Sequence, residues 1–235
     1  MKHCFVVTSA VNSKFGIYSA NERLMQTLAT IASLRNRVPG CKIILMECAG
    51  TPLTTEQEQQ LDQAADVFID FTDDEDVQTI YQSDNWDVVK NTTEIMCFSR
   101  ALTMCLEDGD FDGVDRVHKM SGRYVLNDDF NLDVYEQYAD KIIIGPKHQS
   151  QFPVAVTGIE LQYMARLWSW PIEFTEGIVE VYNHSLAYIS QRIQNGGYAD
   201  IEHVLYKFLP PEYVQEIPMV GVEGCIAPNG ASIKN

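Results

Sequence analysis

Lys119-Met120-Ser121-Gly122-Arg123-Tyr124 concentrates more chemistry than any other stretch of the 235-residue chain. The arginine carries a permanent charge on a planar fork that matches phosphate. The serine is a small donor and acceptor, and the glycine lets backbone come close to a ligand. Lys119 adds a second cation two residues earlier. Val114, Val117 and Met120 are spaced too irregularly for an alternating strand, so the segment reads as a strand buried on both faces. In open α/β sheets the ends of central strands are where ligands bind. The plainer alternative is a strand and turn in which Arg123 meets a surface carboxylate, while Lys119 caps the sheet edge or pairs with Asp115.

The elements that must position this hexapeptide are legible upstream. His3 to Val11 is an apolar run ending in small polar residues, suited to a first buried strand. After a loop containing Gly16, Leu24, Leu28, Ile31, Leu34 and Val38 recur at helical spacing until Pro39-Gly40 stops them. Ile43 to Met46 reads as a second strand. Thr54-x-x-Gln57 and Thr55-x-x-Glu58 both offer capping boxes for a second helix through about Ala65. Val67 to Phe71 completes a β-α-β-α-β series whose connections suit parallel pairing. Thr72 to Trp86, with Asp73-Asp74-Glu75-Asp76, reads as a solvated loop, and Asp87 to Leu106 as a helix.

Beyond the hexapeptide, a short helix is expected over Leu132 to Ala139 and a strand over Lys141 to Gly145. Phe152 to Thr157 and Gln162 to Trp168 read as extended. Helices are expected from about Pro171 to Gln194 and from Ala199 to Phe208. The glycine-rich tail, Val220 to Gly230, is either a cover for a site or simply a tail.

The hexapeptide resembles the K-x-S/T-G-R-Y signature of small glycosyltransferase-like proteins from bacteria and large viruses. Glu22 to Arg35 is similar to the R-x-x-Q-T-x-x-T-I-x-S-I-R first helix of that group. Asn91-Thr92-Thr93-Glu94 and the apolar helix after it resemble its pre-motif helix. The resemblance covers about residues 3–147. It implies an α/β, GT-A-like fold, with a Rossmann-type, mostly parallel sheet flanked by helices and a helical C-terminal part. One domain over 1–235 is expected, with a nucleotide-sugar-binding half (1–147) and an acceptor-side half (148–235).

The resemblance also implies roles. Thr8, Ser9 and Ala10 would face base and ribose, and Lys119, Ser121, Gly122 and Arg123 the donor phosphates. Arg23 and Lys90 would contact phosphate or ribose, or are surface cations. Glu94 would bind a ribose hydroxyl, or pair with Lys90 one turn away. The chain departs from the GT-A pattern where that strand usually ends in Asp-x-Asp, the holder of a divalent metal. Asp108-Gly-Asp110 and Asp110-Phe-Asp112 spell the motif on the strand's entry side, and Asp128-Asp129 follow the hexapeptide. No metal ligand is assigned, and manganese or magnesium is not the favoured cofactor. Arg123 and Lys119 would instead stabilise the leaving diphosphate.

An acceptor base should come from the second half of the chain. Glu202, beside His203 and after the flexible Gly196-Gly197, meets that requirement. Trp168, Trp170 and Tyr163 are sugar-stacking or core residues. The leading reading is a glycosyltransferase moving a sugar from a nucleotide-diphospho-sugar to a glycan or other hydroxyl acceptor. A non-catalytic nucleotide-sugar-binding relative is the alternative. A nucleotidyltransferase is disfavoured, because no glycine-rich phosphate loop follows the first strand.

Composition sets outer bounds. Seventeen Lys and Arg against 33 Asp and Glu give a formal charge of −16, and no basic run tracks a phosphate backbone, which argues against nucleic acid. Six cysteines show no metal spacing. No 18-residue apolar segment or signal sequence is present, so a cytoplasmic, reduced protein is expected.

Overall fold

Every residue of strand β1 (His3–Ser9) is buried, and its alternation assigns side chains to two cores. Cys4 and Val6 enter one apolar cluster, Phe5 and Val7 the other. The computed structural model describes residues 1–225 and 230–235. After β1 come α1 (Ala20–Arg37), β2 (Lys42–Glu47), α2 (Thr55–Ala64) and β3 (Val67–Asp70). Ser19 and Glu22 form a capping box at α1, and Thr54 and Gln57 form one at α2.

Two further helices, α3 (Glu75–Tyr81) and α4 (Trp86–Glu107), lead into β4 (Arg116–Ser121) and the short β5 (Tyr124–Leu126). The acidic run before α4 is solvated as expected, with Asp73, Glu75 and Asp76 exposed, but it is the start of a helix and not a loop. Asp74 caps α3 by accepting from the amides of Asp76 and Val77, and Asp74 and Asp76 both grip Arg100 of α4. The like charges sit together because a cation and a helix start share them.

The rest of the chain comprises α5 (Leu132–Gln137), β6 (Ile142–Ile144), β7 (His148–Gln149), α6 (Val154–Thr157), β8 (Leu161–Gln162), β9 (Leu167–Pro171), α7 (Thr175–Gln194), α8 (Ile201–Phe208), β10 (Val214–Glu216), β11 (Val222–Cys225) and β12 (Ser232–Lys234). Phe152 to Thr157, expected to be extended, instead contains α6. Pro153 precedes its first turn, and Gly158 ends it in the left-handed region at φ 71°. Part of the tail expected after Val220 forms β11 and β12, while Ile226–Asn229 lie outside the described residues.

Seven strands form the main sheet in the order β10-β6-β9-β4-β1-β2-β3. β4, β1, β2 and β3 run parallel, and β9 is antiparallel to both β4 and β6. β4 is thus the central strand. Helices α4 and α7 cover the Cys4/Val6 face, and α1, α2 and α5 cover the other. No described helix is long and apolar enough to cross a membrane. Five of the six free cysteines are buried.

At its start, β4 carries a fully buried cation. Arg116 donates through Nη2 to the carbonyls of Tyr138, Ala139 and Lys141 at 2.8–3.0 Å, and through Nη1 to Ser169 Oγ at 2.8 Å. These carbonyls lie at and just past the end of α5, where they have no helical donors. Beside it, His3 Nδ1 and His118 Nε2 lie 2.9 Å apart, and the His118 ring stacks on Phe5. One ring must donate and the other accept, so the accepting ring is neutral and the two cannot both be protonated. Burial first, then neighbouring positive charge including Arg116, pushes His3 down to about 4 against a weaker pull from Asp115. His118 lies well below its ordinary value through burial, His3 and Arg116.

A histidine depressed in the native state contributes stability that is complete above the unfolded value, near 6.5. That contribution is lost as pH falls towards the folded value, because the unfolded chain binds the proton first. For His3 it amounts to on the order of 3 kcal/mol between pH 7 and 4. Glu47 and Glu202, both pushed up to about 7 by burial, act with the opposite sign in an overlapping window. Comparison with a variant isolates the histidines. Thermal midpoints of the parent and His118→Gln, measured from pH 7 to 4, should converge on acidification. Parallel curves would show that the pair carries no such linkage.

Candidate functional site

β1 and β4 are parallel neighbours with Thr8 opposite Ser121, so both strands end at one edge of the sheet. A cleft opens there, with about 780 Å³ of space counted out into open solvent. Its floor is Thr8-Ser9-Ala10 and Ser121-Gly122-Arg123. Helix α1 contributes Arg23 and Thr27, one turn apart, and α4 contributes Trp86, Val89, Lys90, Thr93 and Glu94. The three-to-four spacing of those α4 residues puts them on one helix face. Ser13, Phe15, Cys48 and Tyr81 close the sides, and the Phe15 and Trp86 rings lie 5.5 Å apart.

Nine residues singled out in the sequence therefore converge: Thr8, Ser9, Ala10, Arg23, Lys90, Glu94, Ser121, Gly122 and Arg123. Lys119 does not face the cleft. It lies beneath the floor, 1 % exposed, with its three protons directed to Glu94 Oε1 at 2.9 Å, Ser121 Oγ at 2.7 Å and the Ala165 carbonyl at 3.1 Å. Alternation explains the pairing, since Val117 and Lys119 point to the α4 side of the sheet. Neither Asp115 nor Lys90 is the partner: Asp115 accepts from the Lys2 amide, and Glu94 belongs to Lys119. Burial pushes Glu94 up, but the Lys119 charge and hydrogen bond outweigh it, with help from Lys90 and Arg123, and hold its carboxyl below the ordinary value.

Gly122 is required by its own neighbours. Its amide donates to the Thr8 carbonyl at 2.8 Å, and a Cβ at this position would stand 2.9 Å from that oxygen and 3.2 Å from Thr27 Oγ1. The close approach is strand to strand, where the sequence had suggested strand to ligand.

Glu47, at the end of β2, was not apparent in the sequence. It is fully buried, and its carboxylate accepts from Ser9 Oγ and from the amides of Val11 and Ala49. It thereby ties the ends of β1 and β2 together beside the cleft. Burial pushes it up to about 7 against these three hydrogen bonds. Phe15, Tyr81 and Trp86 were also missed. The α4 spacing back from Glu94 was a usable signal for Trp86, whereas Phe15 lies in an irregular loop without one.

Glu202 lies outside the cleft lining, half-buried on α8. Burial and the nearby Asp200 charge push it up to about 7, opposed by Lys90. Its neighbour His203 is fully buried, with Nδ1 2.6 Å from Asp200 and Nε2 2.9 Å from Ser150 Oγ. Gly196-Gly197 is not a free hinge. A Cβ on Gly197 would meet the Val156 carbonyl at 2.6 Å, and Tyr198 donates its amide to the same oxygen. Trp168, Trp170 and Tyr163 are core residues, at 1 %, 0 % and 6 % exposure.

No protein-family model matches the sequence, and neither does any curated protein sequence. Solved structures do match in shape. Core-mannan synthase A from Aspergillus fumigatus, in a Mn/GDP form, is similar with a TM-score of 0.52 at 9 % identity, over 97 % of this chain and 77 % of that one. A crystal structure from Desulfovibrio desulfuricans, assigned as a nucleotide-diphospho-sugar transferase, aligns at 10 % identity over 92 % of this chain and 80 % of that one with a TM-score of 0.45. The chain has a GT-A-like α/β fold, its mostly parallel central sheet flanked by helices.

Proposed function

We propose that the chain is a glycosyltransferase that moves a sugar from a nucleotide-diphospho-sugar to a hydroxyl acceptor, a glycan in the first instance. The observation that carries this reading is the cleft at the ends of β1 and β4, where paired aromatic rings adjoin Arg23, Arg123 and Lys90 in a chain of net charge −16. Phe15 and Trp86 would stack on the base. Thr8, Ser9 and Ala10 would hydrogen-bond base and ribose, and the arginines would receive the diphosphate. Lys119 holds Glu94 and Ser121 in place from below. Residues 1–147 would bind the donor and 148–235 the acceptor.

In the transfer, a bond forms between the acceptor oxygen and the anomeric carbon as the bond from that carbon to the β-phosphate oxygen breaks. The electron pair leaves with the nucleoside diphosphate. The acceptor's proton goes to a base, for which Glu202 is the candidate in the second half of the chain. A carboxyl near 7 is half ionised at neutral pH and accepts a proton readily. One observation favours the binding-only reading. Among the described residues, no carboxylate from the second half lines the cleft.

Incubation with UDP-, GDP-, CDP- and ADP-sugars separates the two readings. The catalytic reading expects slow release of nucleoside diphosphate from one of them without acceptor, and binding with no release would leave a sugar-nucleotide-binding protein. Glu202→Gln keeps shape and hydrogen bonding but removes the proton acceptor. Its turnover should fall by roughly a hundredfold or more while donor affinity stays at the parent value. In the parent, activity should rise through pH 7 as Glu202 ionises. Turnover within a few-fold of the parent would exclude Glu202 as the base.

A further inference from the structure

The divalent metal that usually serves this fold has no fitting set of ligands here. Among the described residues no group of three or more His, Cys, Asp or Glu is placed to hold an ion. The nearby carboxylates are committed: Glu94 to Lys119 and Thr8, and Glu47 to three donors in a fully buried position. Asp108, Asp110 and Asp112 precede β4, at the end of the strand away from the cleft, and Asp110 pairs with Lys42 at 2.8 Å. Asp128 pairs with Arg37, the last residue of α1, and Asp129 with Lys234. Helix α1 starts at the cleft and runs away from it, so the Arg37 end is remote.

Two guanidinium groups stand in the cleft instead, with no carboxylate among the described residues bonded to either. Arg23 is only 8 % exposed, yet its bonds are long, 3.5 Å to the Ala10 carbonyl and 3.3 Å to that of Phe15. Its buried Nε has no partner. Gly16, at φ 113°, brings loop backbone against this group, and a Cβ there would lie 2.6 Å from Arg23 Nη2. Arg123 is half-buried, its guanidinium 5.8 Å from the centre of the Tyr124 ring. Burial pushes Arg23 down, and the charge of Arg123 pushes it further. Like charges held together in a desolvated cleft are stabilised by an anion that pairs with both.

We propose that Arg23 and Arg123 together bind the donor's diphosphate and take up the charge of the departing nucleoside diphosphate without a divalent cation. This rests on the donor reading above and specifies how that site works. As the sugar–oxygen bond breaks, negative charge grows on the β-phosphate, and two fixed forks receive it through bidentate hydrogen bonds. No ligand has to be recruited from solution.

Calorimetry with UDP, GDP, CDP and ADP, each in EDTA and in excess manganese, tests the proposal. One nucleotide should bind in EDTA with an affinity that manganese changes by less than about threefold. Arg123→Ala and Arg23→Met should each weaken it by about tenfold to a hundredfold, the effect of losing a hydrogen bond to a charged group. Arg123→Lys, which keeps charge but loses the fork, should fall between parent and alanine. Thermal midpoints of the free proteins confirm folding, and Arg123, at the cleft surface, is the variant that decides if Arg23→Met fails to fold. Binding abolished by EDTA and restored by manganese would overturn the metal-free site and leave the donor reading standing. A folded Arg123→Ala with parent affinity would also overturn it. Failure of all four nucleotides under both conditions would remove the donor reading itself.

Discussion

A single buried ammonium holds the cleft together. Lys119 connects the helix α4 through Glu94, the end of the central strand β4 through Ser121, and the segment entering β9 through Ala165. Withdrawing a cation from water carries a penalty of several kcal/mol, and only good geometry with every proton satisfied offsets it. Lys119 meets that condition with three acceptors within 3.1 Å. Because the same ammonium bonds Glu94 and Ser121, the wall and floor of the cleft are set relative to one another by one atom. Thr8 Oγ1 adds a link from β1 to Glu94 at 3.3 Å.

The two ends of β4 illustrate how one strand separates stability from chemistry. Arg116, at the start, spends four hydrogen bonds on a hydroxyl and three carbonyls, all far from the cleft. Lys119, three residues later and so on the opposite face, organises the other end. Between them His118 must stay neutral, wedged between Phe5 and Tyr135. Both cations are stable inside because each reaches backbone or side-chain oxygen that would otherwise lack a donor.

The cleft cations are less fully committed than these two: Arg23 makes only long bonds to two carbonyls, and among the described residues no carboxylate is bonded to it or to Arg123. Around them, acids are neutralised by local pairing. Glu94 is held by Lys119, Glu47 by amides and Ser9, and Asp200 is held near 2 by His203 and Tyr198 although burial opposes it. The field inside the cleft is therefore positive while the chain as a whole is acidic. Such an arrangement favours a small anion at one place and repels polyanions elsewhere.

Much of this was legible in the residues alone. Alternation and helical spacing determine the β-α-β-α-β start, and a strand of mixed apolar and charged residues with no solvent face was readable at Val114–Ser121. The end of β4 was marked by its own residues, at the kind of strand end where open α/β sheets bind ligands, whereas Thr8, Ser9 and Ala10 at the end of β1 were pointed to by the family resemblance. What only the tertiary structure decided is which charges meet. Lys119 and Glu94 are 25 positions apart and find one another through sheet alternation and the rotation of α4, neither of which a local pattern encodes. Asp74 and Asp76 became a helix start because Arg100 lay opposite them. Glu47 stands beneath the strand ends through a buried bond network and Phe15 lines the cleft through an irregular loop, for which the chain carries no periodic signal. Spacing specifies faces, and the packing of those faces specifies partners.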